Sequence, residues 1–238
     1  MAGHSQFKNI MYRKGAQDAK RAKIFAKISR EIMVAAKIGG EDVSSNPRLR
    51  SAIAYAREQN MPKDNIEKAL AKARSNDDLS NYDEIRYEGY GSHGVAFIVD
   101  ALTDNKNRTA SEVRSVFTKY GGNLGETGSV AYQFNRIGLI QYTGLPYSEL
   151  FDLAVESGAE NVEEDGAYCF ITTGVENFSE IRNIFVEKFG DPASAALTFE
   201  PLSYVEMSED DAQSLLNMIS VLEDNDDVQK VYSNLKIA

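Results

Sequence analysis

Lys20–Lys37, KRAKIFAKISREIMVAAK, decides how the rest of the chain is read. At about 100° per residue in an α-helix, Lys20, Lys23, Lys27, Arg30 and Lys37 fall within one arc of roughly 100°. Ile24, Phe25, Ile28, Ile32, Ala35 and Ala36 fall on the opposite side. The pattern predicts a helix with an apolar face for a core and a row of cations for solvent or an anion. Val34 interrupts the basic arc, and Gly39-Gly40 provides the stop that glycine gives beyond a last turn.

Beyond this helix, Asn46-Pro47 is a cap followed by proline at the first helical position. Leu49, Ala52, Ile53 and Ala56 then form one apolar face up to about Asn60. Met61-Pro62 marks a tight turn, and Ile66, Ala69, Leu70 and Ala73 give a third helix its inward side. Three helices with short connections make a small bundle, and its last two have a weak likeness to a helix-turn-helix. Arg50 and Arg57, seven residues apart, add to the basic surface. Before the bundle, Phe7, Lys8, Tyr12, Arg13 and Lys14 read as a basic arm able to lie on phosphates and stack a base. The alternative is that Phe7 and Ile10 simply pin the terminus to the core.

The net charge of −10 hides a division. Residues 1–74 carry 16 Lys+Arg against 7 Asp+Glu, and residues 75–238 carry 10 against 29. Such asymmetry suggests a basic module that meets a polyanion, carried by an acidic body; the alternative is two solvated surfaces of opposite bias. No apolar run approaches membrane-spanning length, no secretory signal opens the chain, and the single cysteine, Cys169, sits in an apolar run. A cytoplasmic protein with a buried thiol is expected.

Residues 75–82, SNDDLSNY, are polar and turn-rich, a linker in this reading. From there strands alternate with helices. Val95–Asp100 is expected as a strand, and Thr109 with Glu112 as a capping box opening a helix to Tyr120. Strands follow at Val130–Phe134 and Leu139–Tyr142, then a helix at Tyr147–Ser157, a strand at Tyr168–Thr172 and a helix at Asn177–Phe189. Strands at Ala195–Phe199, Tyr204–Met207 and Val228–Tyr232, with a Ser208-capped helix before the last, finish the chain. The units group as βαβ, βαββαβ and βαβ. The expected fold is therefore α+β: a three-helix bundle at 1–78, a discontinuous ferredoxin-like (split βαβ) domain at 79–134 plus 201–238, and a second one inserted at 135–200.

Catalysis needs convergent reactive groups, and few are present. Two histidines, His4 and His93, and one cysteine leave little for a zinc site or a Ser–His–acid triad. Gly89-Tyr90-Gly91-Ser92-His93-Gly94 fits GxGxxG but runs into a strand instead of opening a helix, so it is a glycine-rich turn. Gly121–Gly128 is a second such loop, able to bring bare backbone near a ligand or merely to turn the chain. Asp104-Asn105-Lys106-Asn107-Arg108-Thr109 precedes a helix, where Arg108 and free N–H groups could take an anion. The favoured alternative is a loop folded by its own Asp and Asn side chains. Glu223-Asp224-Asn225-Asp226-Asp227 lacks the glycine and final glutamate of a calcium loop and reads as a solvated turn. No metal and no cofactor are expected.

Several stretches resemble the YebC-type family. They are Met1-Ala2-Gly3-His4-Ser5, Ala16-Gln17-Asp18-Ala19-Lys20-Arg21, Asn46-Pro47-Arg48-Leu49-Arg50, Asn60-Met61-Pro62-Lys63-Asp64-Asn65-Ile66, Tyr87-Glu88-Gly89-Tyr90-Gly91, Asp104–Thr109 and Gly121-Gly122-Asn123-Leu124-Gly125. The resemblance implies a three-domain cytoplasmic protein without catalytic residues. Members are described as transcriptional regulators that bind promoter DNA. Others act in translation, among them a mitochondrial translational activator and bacterial members linked to relief of ribosome stalling on proline-rich stretches. The chain departs from the family's usual opening, with Gln6-Phe7 for Lys-Trp and Tyr12 where His is frequent, and has Gly91-Ser92-His93-Gly94 for Gly-Pro-Gly-Gly.

The expected function is a non-enzymatic, nucleic-acid-binding regulator of gene expression, acting on DNA or, alternatively, on ribosomal RNA at the ribosome. A small-molecule-sensing or enzymatic ferredoxin-like body is a third possibility. The expected contacts are Lys8, Arg13, Lys14, Lys20, Lys23, Lys27, Arg30, Lys37, Arg50 and Arg57. Changing Lys23, Lys27 and Arg30 to glutamate is expected to abolish binding and leave the fold intact, since none faces the apolar arc.

Overall fold

The computed structural model describes residues 17–74 and 82–238, with side chains from Arg21 onward. The expected arm residues Lys8, Arg13 and Lys14, the side chain of Lys20, and all of the expected linker except Tyr82 lie outside the described residues.

Helix α1 (Gln17–Gly39) presents Ile28, Ile32, Ala35 and Ala36 to Leu49, Ala52, Ile53 and Ala56 of α2 (Pro47–Glu58) and to Ile66 and Ala69 of α3 (Lys63–Arg74). Asn46 fastens the corner between α1 and α2. Its Oδ1 accepts the Leu49 N–H at 3.0 Å, as a cap does, while its Nδ2 donates to the carbonyls of Ala35 (2.8 Å) and Gly40 (2.7 Å). Gly39 is required beside it, because a Cβ there would meet Asn46 Nδ2 at 2.7 Å.

Strands β1 (Asp83–Tyr90) and β2 (Ala96–Thr103) form an antiparallel hairpin, followed by α4 (Lys106–Lys119) and the short β3 (Asn123–Leu124). No strand is expected before Val95, yet β1 is one. Its residue Arg86 stands opposite Asp100, and the two side chains pair at 2.7 Å, so charge pairing replaces the apolar alternation that marks a strand in sequence. Helix α4 starts earlier than the Thr109 box predicts: Asn105 is the cap, accepting the Arg108 N–H at 3.1 Å, and Thr109 is buried. The expected strand Val130–Phe134 is instead a 3₁₀ turn at Ala131–Gln133. Its N–H groups are taken by a side chain: the buried Glu88 carboxylate accepts from Gly128, Val130 and Ala131, each at 2.9 Å. Burial works against that charge, but these three bonds hold the Glu88 carboxyl below its ordinary value.

Residues Phe134–Leu202 form a unit of their own. It comprises β4 (Phe134–Thr143), α5 (Tyr147–Ser157), β5 (Asn161–Asp165), β6 (Tyr168–Thr173), α6 (Phe178–Phe189) and β7 (Ser194–Pro201), with strand order β5-β6-β4-β7, antiparallel throughout. This is the split-βαβ arrangement. Ile140, Tyr142, Ile171, Leu150, Leu153, Ile181 and Phe185 make its core. Cys169 is buried there, and burial pushes its thiol up to about 11.

The chain then returns to the first sheet through β8 (Val205–Met207), α7 (Glu209–Asp224), β9 (Val228–Ser233) and β10 (Leu235–Ile237), giving the order β3-β1-β2-β9 and a separate parallel pair, β8 with β10. Ser208 caps α7, accepting the Asp211 N–H at 3.3 Å. Val95, Phe97 and Val99 pack under α4 and α7 against Val113, Phe117, Leu215, Met218 and Leu222. Ala96, Ile98 and Leu102, which alternate with them, are buried as well, so β2 is covered on both faces. The whole is α+β: three helices, then two antiparallel sheets with helices.

Candidate nucleic-acid interface

The basic arc of α1 is not a free surface along its length. Lys23 Nζ donates to the Asp224 carbonyl at 3.2 Å and lies 3.8 Å from the Asp224 carboxylate; Lys27 Nζ donates to the Glu223 carbonyl at 2.5 Å. Those carbonyls end α7, a helix with no basic residue in its own last turn and two acidic side chains where the helix dipole is already negative. The lysines of α1 therefore supply the C-terminal cations that α7 lacks. Burial pushes the Lys27 ammonium down to about 8, opposed by the charges of Glu223, Asp226 and Asp224.

One turn on, Arg30 Nη1 donates to the carbonyls of Leu102 (3.2 Å) and Asp226 (2.6 Å) and to Asp227 Oδ1 (3.1 Å), with its guanidinium over the Tyr82 ring at 5.4 Å. Asp227 is a convergence point. Its other oxygen accepts from Arg108 Nη2 (2.7 Å), Thr109 Oγ1 (2.7 Å) and Thr103 Oγ1 (3.1 Å). Burial raises its pKa, but the bonds from Arg108, Thr109 and Thr103 outweigh it and hold the carboxyl below the usual Asp value. A second tie lies alongside: Arg48 Nε donates to Glu31 of α1 at 2.6 Å while its Nη1 reaches Glu84 of β1.

Two expectations change. The run Glu223–Asp227 is not a solvated turn but the counter-surface of the first helix. The triple glutamate variant would put three carboxylates against it and break the docking of the bundle on the β3-β1-β2-β9 sheet, the outer sheet, so it is not neutral to the fold. The favoured reading of the Asp104–Thr109 loop agrees with the structure: Asn105 Oδ1 accepts the Arg108 N–H, and the Arg108 guanidinium is engaged by Asp104 and by Asp227. Val34 explains its own intrusion into the basic arc: it is 5% exposed yet no part of the bundle core, so the arc is covered at that turn, while Lys37 beyond it is exposed.

Of the remaining expected cations, Lys37 lies on α1 and Arg50 and Arg57 lie on α2. Lys37 is exposed at the end of α1. Arg50 and Arg57 share one side of α2, two turns or about 10 Å apart. Arg57 is exposed, while Arg50 donates to the Ser44 carbonyl at 3.2 Å and has a buried Nε without a partner among the described residues. Lys37, Arg57 and Lys68 have no carboxylate within 4 Å among the described residues. The glycine loops serve packing: a Cβ on Gly122 would meet the Tyr90 carbonyl at 2.5 Å, and one on Gly89 the Asn123 carbonyl at 2.6 Å.

Two clefts open on the surface. One of about 330 Å³ lies between β1, α4 and the loop at Gly125–Thr127. The other, of about 290 Å³, is lined by Arg30, Arg108, Glu112, Asn225, Asp226 and Asp227, and both its guanidiniums are already bonded to Asp227. Among the described residues no group of His, Cys, Asp and Glu is placed to hold a metal, and no helix is long and apolar enough to cross a membrane.

Residues 5–76 match the profile of the TACO1/YebC protein N-terminal domain, and residues 82–235 that of the TACO1/YebC second and third domain. The chain belongs to the TACO1/YebC family. The crystal structure of a conserved hypothetical protein from Aquifex aeolicus is similar, with 42% identity and a TM-score of 0.83 over 93% of this chain and 92% of that one. TACO1/YebC membership supports, in broad terms, a nucleic-acid-binding regulator. Sequence reasoning missed Asp227 and its partners in this TACO1/YebC chain because they are drawn from three distant segments. The one local signal is an acidic run directly after a helix that ends without a cation.

Proposed function

We propose that this protein is a non-enzymatic, cytoplasmic regulator of gene expression that binds nucleic acid through its helical bundle, as a transcriptional regulator on DNA. The supporting observation is the charge left once the seam is subtracted: Lys37, Arg57 and Lys68 stand exposed in a segment that carries 16 Lys+Arg against 7 Asp+Glu. Three phosphate contacts on duplex DNA correspond to a log–log salt slope of about −3. Fluorescence anisotropy with a 20-bp duplex, titrated from low to moderate salt, tests it. Lys37→Ala with Arg57→Ala should reduce affinity and flatten the slope by about 2; an unchanged slope would remove the bundle from the interface.

A second reading, a translation factor on ribosomal RNA, draws support from the engagement of Lys23, Lys27 and Arg30 by the chain's own acidic turn. Fewer free cations favour a shaped site with several weak contacts over a bare duplex. Crosslinking in cells followed by sequencing of the bound nucleic acid separates the two, since promoter fragments and ribosomal RNA are recovered on different readings.

A further inference from the structure

The contacts along the seam are graded. At one end the Lys23 and Asp224 side chains are 46% and 51% exposed, and at the other Arg30 and Asp227 are 18% and 6% exposed. Exposed pairs contribute little and are screened by salt, whereas a buried guanidinium–carboxylate pair with further bonds is costly to open. The seam is thus anchored at Arg30 and weak at Lys23. What it covers is a run of cations on one helix face, and what covers it is a turn of closely spaced negative charges, Glu223, Asp224, Asp226 and Asp227.

We propose that the α7–β9 turn is an internal competitor for polyanions: in the free protein it occupies Lys23 and Lys27, and a phosphate backbone displaces it from the Lys23 end while Arg30 remains anchored on Asp227. This rests on the nucleic-acid reading above and adds regulation of that same surface. The competitor sets a threshold: short or weakly charged anions leave the seam closed, and a continuous phosphate chain engages the exposed cations first and then the released lysines. The displaced carbonyls of Glu223 and Asp224 become accessible to water, so opening this end strands no buried polar group.

The test is Asp224→Asn with Asp226→Asn, two exposed positions, leaving Asp227 in place. A control with the same net charge is Glu156→Gln with Glu187→Gln, exposed carboxylates of the inserted unit. Two probes are titrated against wild type and both variants: a mixed-sequence 20-nucleotide RNA and long-chain inorganic polyphosphate. The seam variant should bind both about fivefold or more tighter than wild type at low salt, with a salt slope steeper by about 1 to 2, and the control should change affinity less than twofold. Asp226→Asn alone should give an intermediate gain. Equal gains in the seam variant and the control, or no gain with either probe, overturn the proposal. Tighter polyphosphate binding in the seam variant with no RNA binding by any form would uphold the competitor and refute the ribosomal-RNA reading, while failure of the duplex titration described above would refute the DNA reading.

Discussion

Replacing Asp227 by asparagine isolates what holds the first helix to the outer sheet. The side chain is 6% exposed, and its carboxylate accepts from Arg30, Arg108, Thr109 and Thr103. Asparagine keeps the shape but turns one of the two oxygens into a donor. That donor must face either the Arg30 guanidinium or the Arg108 and Thr cluster. Hydrogen bonds to a buried charge contribute about 1.5–3 kcal/mol, and removing one side of a buried pair costs about 3–5 kcal/mol. Arg108 is 45% exposed and regains water, which places the expected loss near the lower end, about 3 kcal/mol. At about 2–4 °C per kcal/mol for a chain of this size, the transition should fall by roughly 6–12 °C. Thermal unfolding followed by circular dichroism measures the shift, and urea unfolding the free energy. The sign with pH follows from the lowered folded pKa: the wild-type advantage is full above the unfolded value of about 3.9 and is lost as pH falls through the folded value below it. A loss under about 1 kcal/mol at pH 7, or a difference that does not shrink on acidification below the unfolded value, would refute the assignment of Asp227 as the anchor.

Glu88→Gln should cost about 1–2 kcal/mol, since three N–H groups lose a charged acceptor, and should speed amide exchange at Gly128, Val130 and Ala131 specifically. Uniform exchange across the outer sheet would contradict a local clamp. Asn46→Ala removes a cap and two hydrogen bonds donated to the Ala35 and Gly40 carbonyls, so about 2 kcal/mol of bundle stability should go, read as a lower midpoint of the helical circular dichroism signal. Gly138→Ala should unfold the inserted unit at lower urea by about 2–3 kcal/mol, because the added Cβ falls on the Phe178 ring and the Thr173 hydroxyl. Gly144→Ala, where nothing lies within 4 Å but φ is +72°, should cost about 1 kcal/mol from backbone strain alone.

The bundle was legible because its signals are local. The periodic apolar positions of α1, α2 and α3 are buried or partly buried in one cluster, and Asn46-Pro47 caps where such a pair caps. The alternation of strands and helices beyond residue 82 followed from hydrophobic runs and glycine stops, and Ser208 opens α7 as its type implies. The failures came where long-range partners replace local chemistry. Strand β1 hides behind Arg86 and its cross-strand Asp100, and the 3₁₀ turn at Ala131–Gln133 exists because Glu88, some forty residues earlier, takes its N–H groups.

That α1 is amphipathic, with apolar positions on one arc and cations on the other, is written in its residues alone, since a helix repeats every few residues and places both arcs in adjacent turns. What the cations meet is set by the folding of distant segments onto α1. Lys23, Lys27 and Arg30 find Asp224, Glu223, Asp226 and Asp227 across a sequence separation of 196 to 201 residues. Charge attraction acts through space and leaves no periodic mark on the chain, so a stripe made for a phosphate and one made for the protein's own acidic turn are written in the same letters.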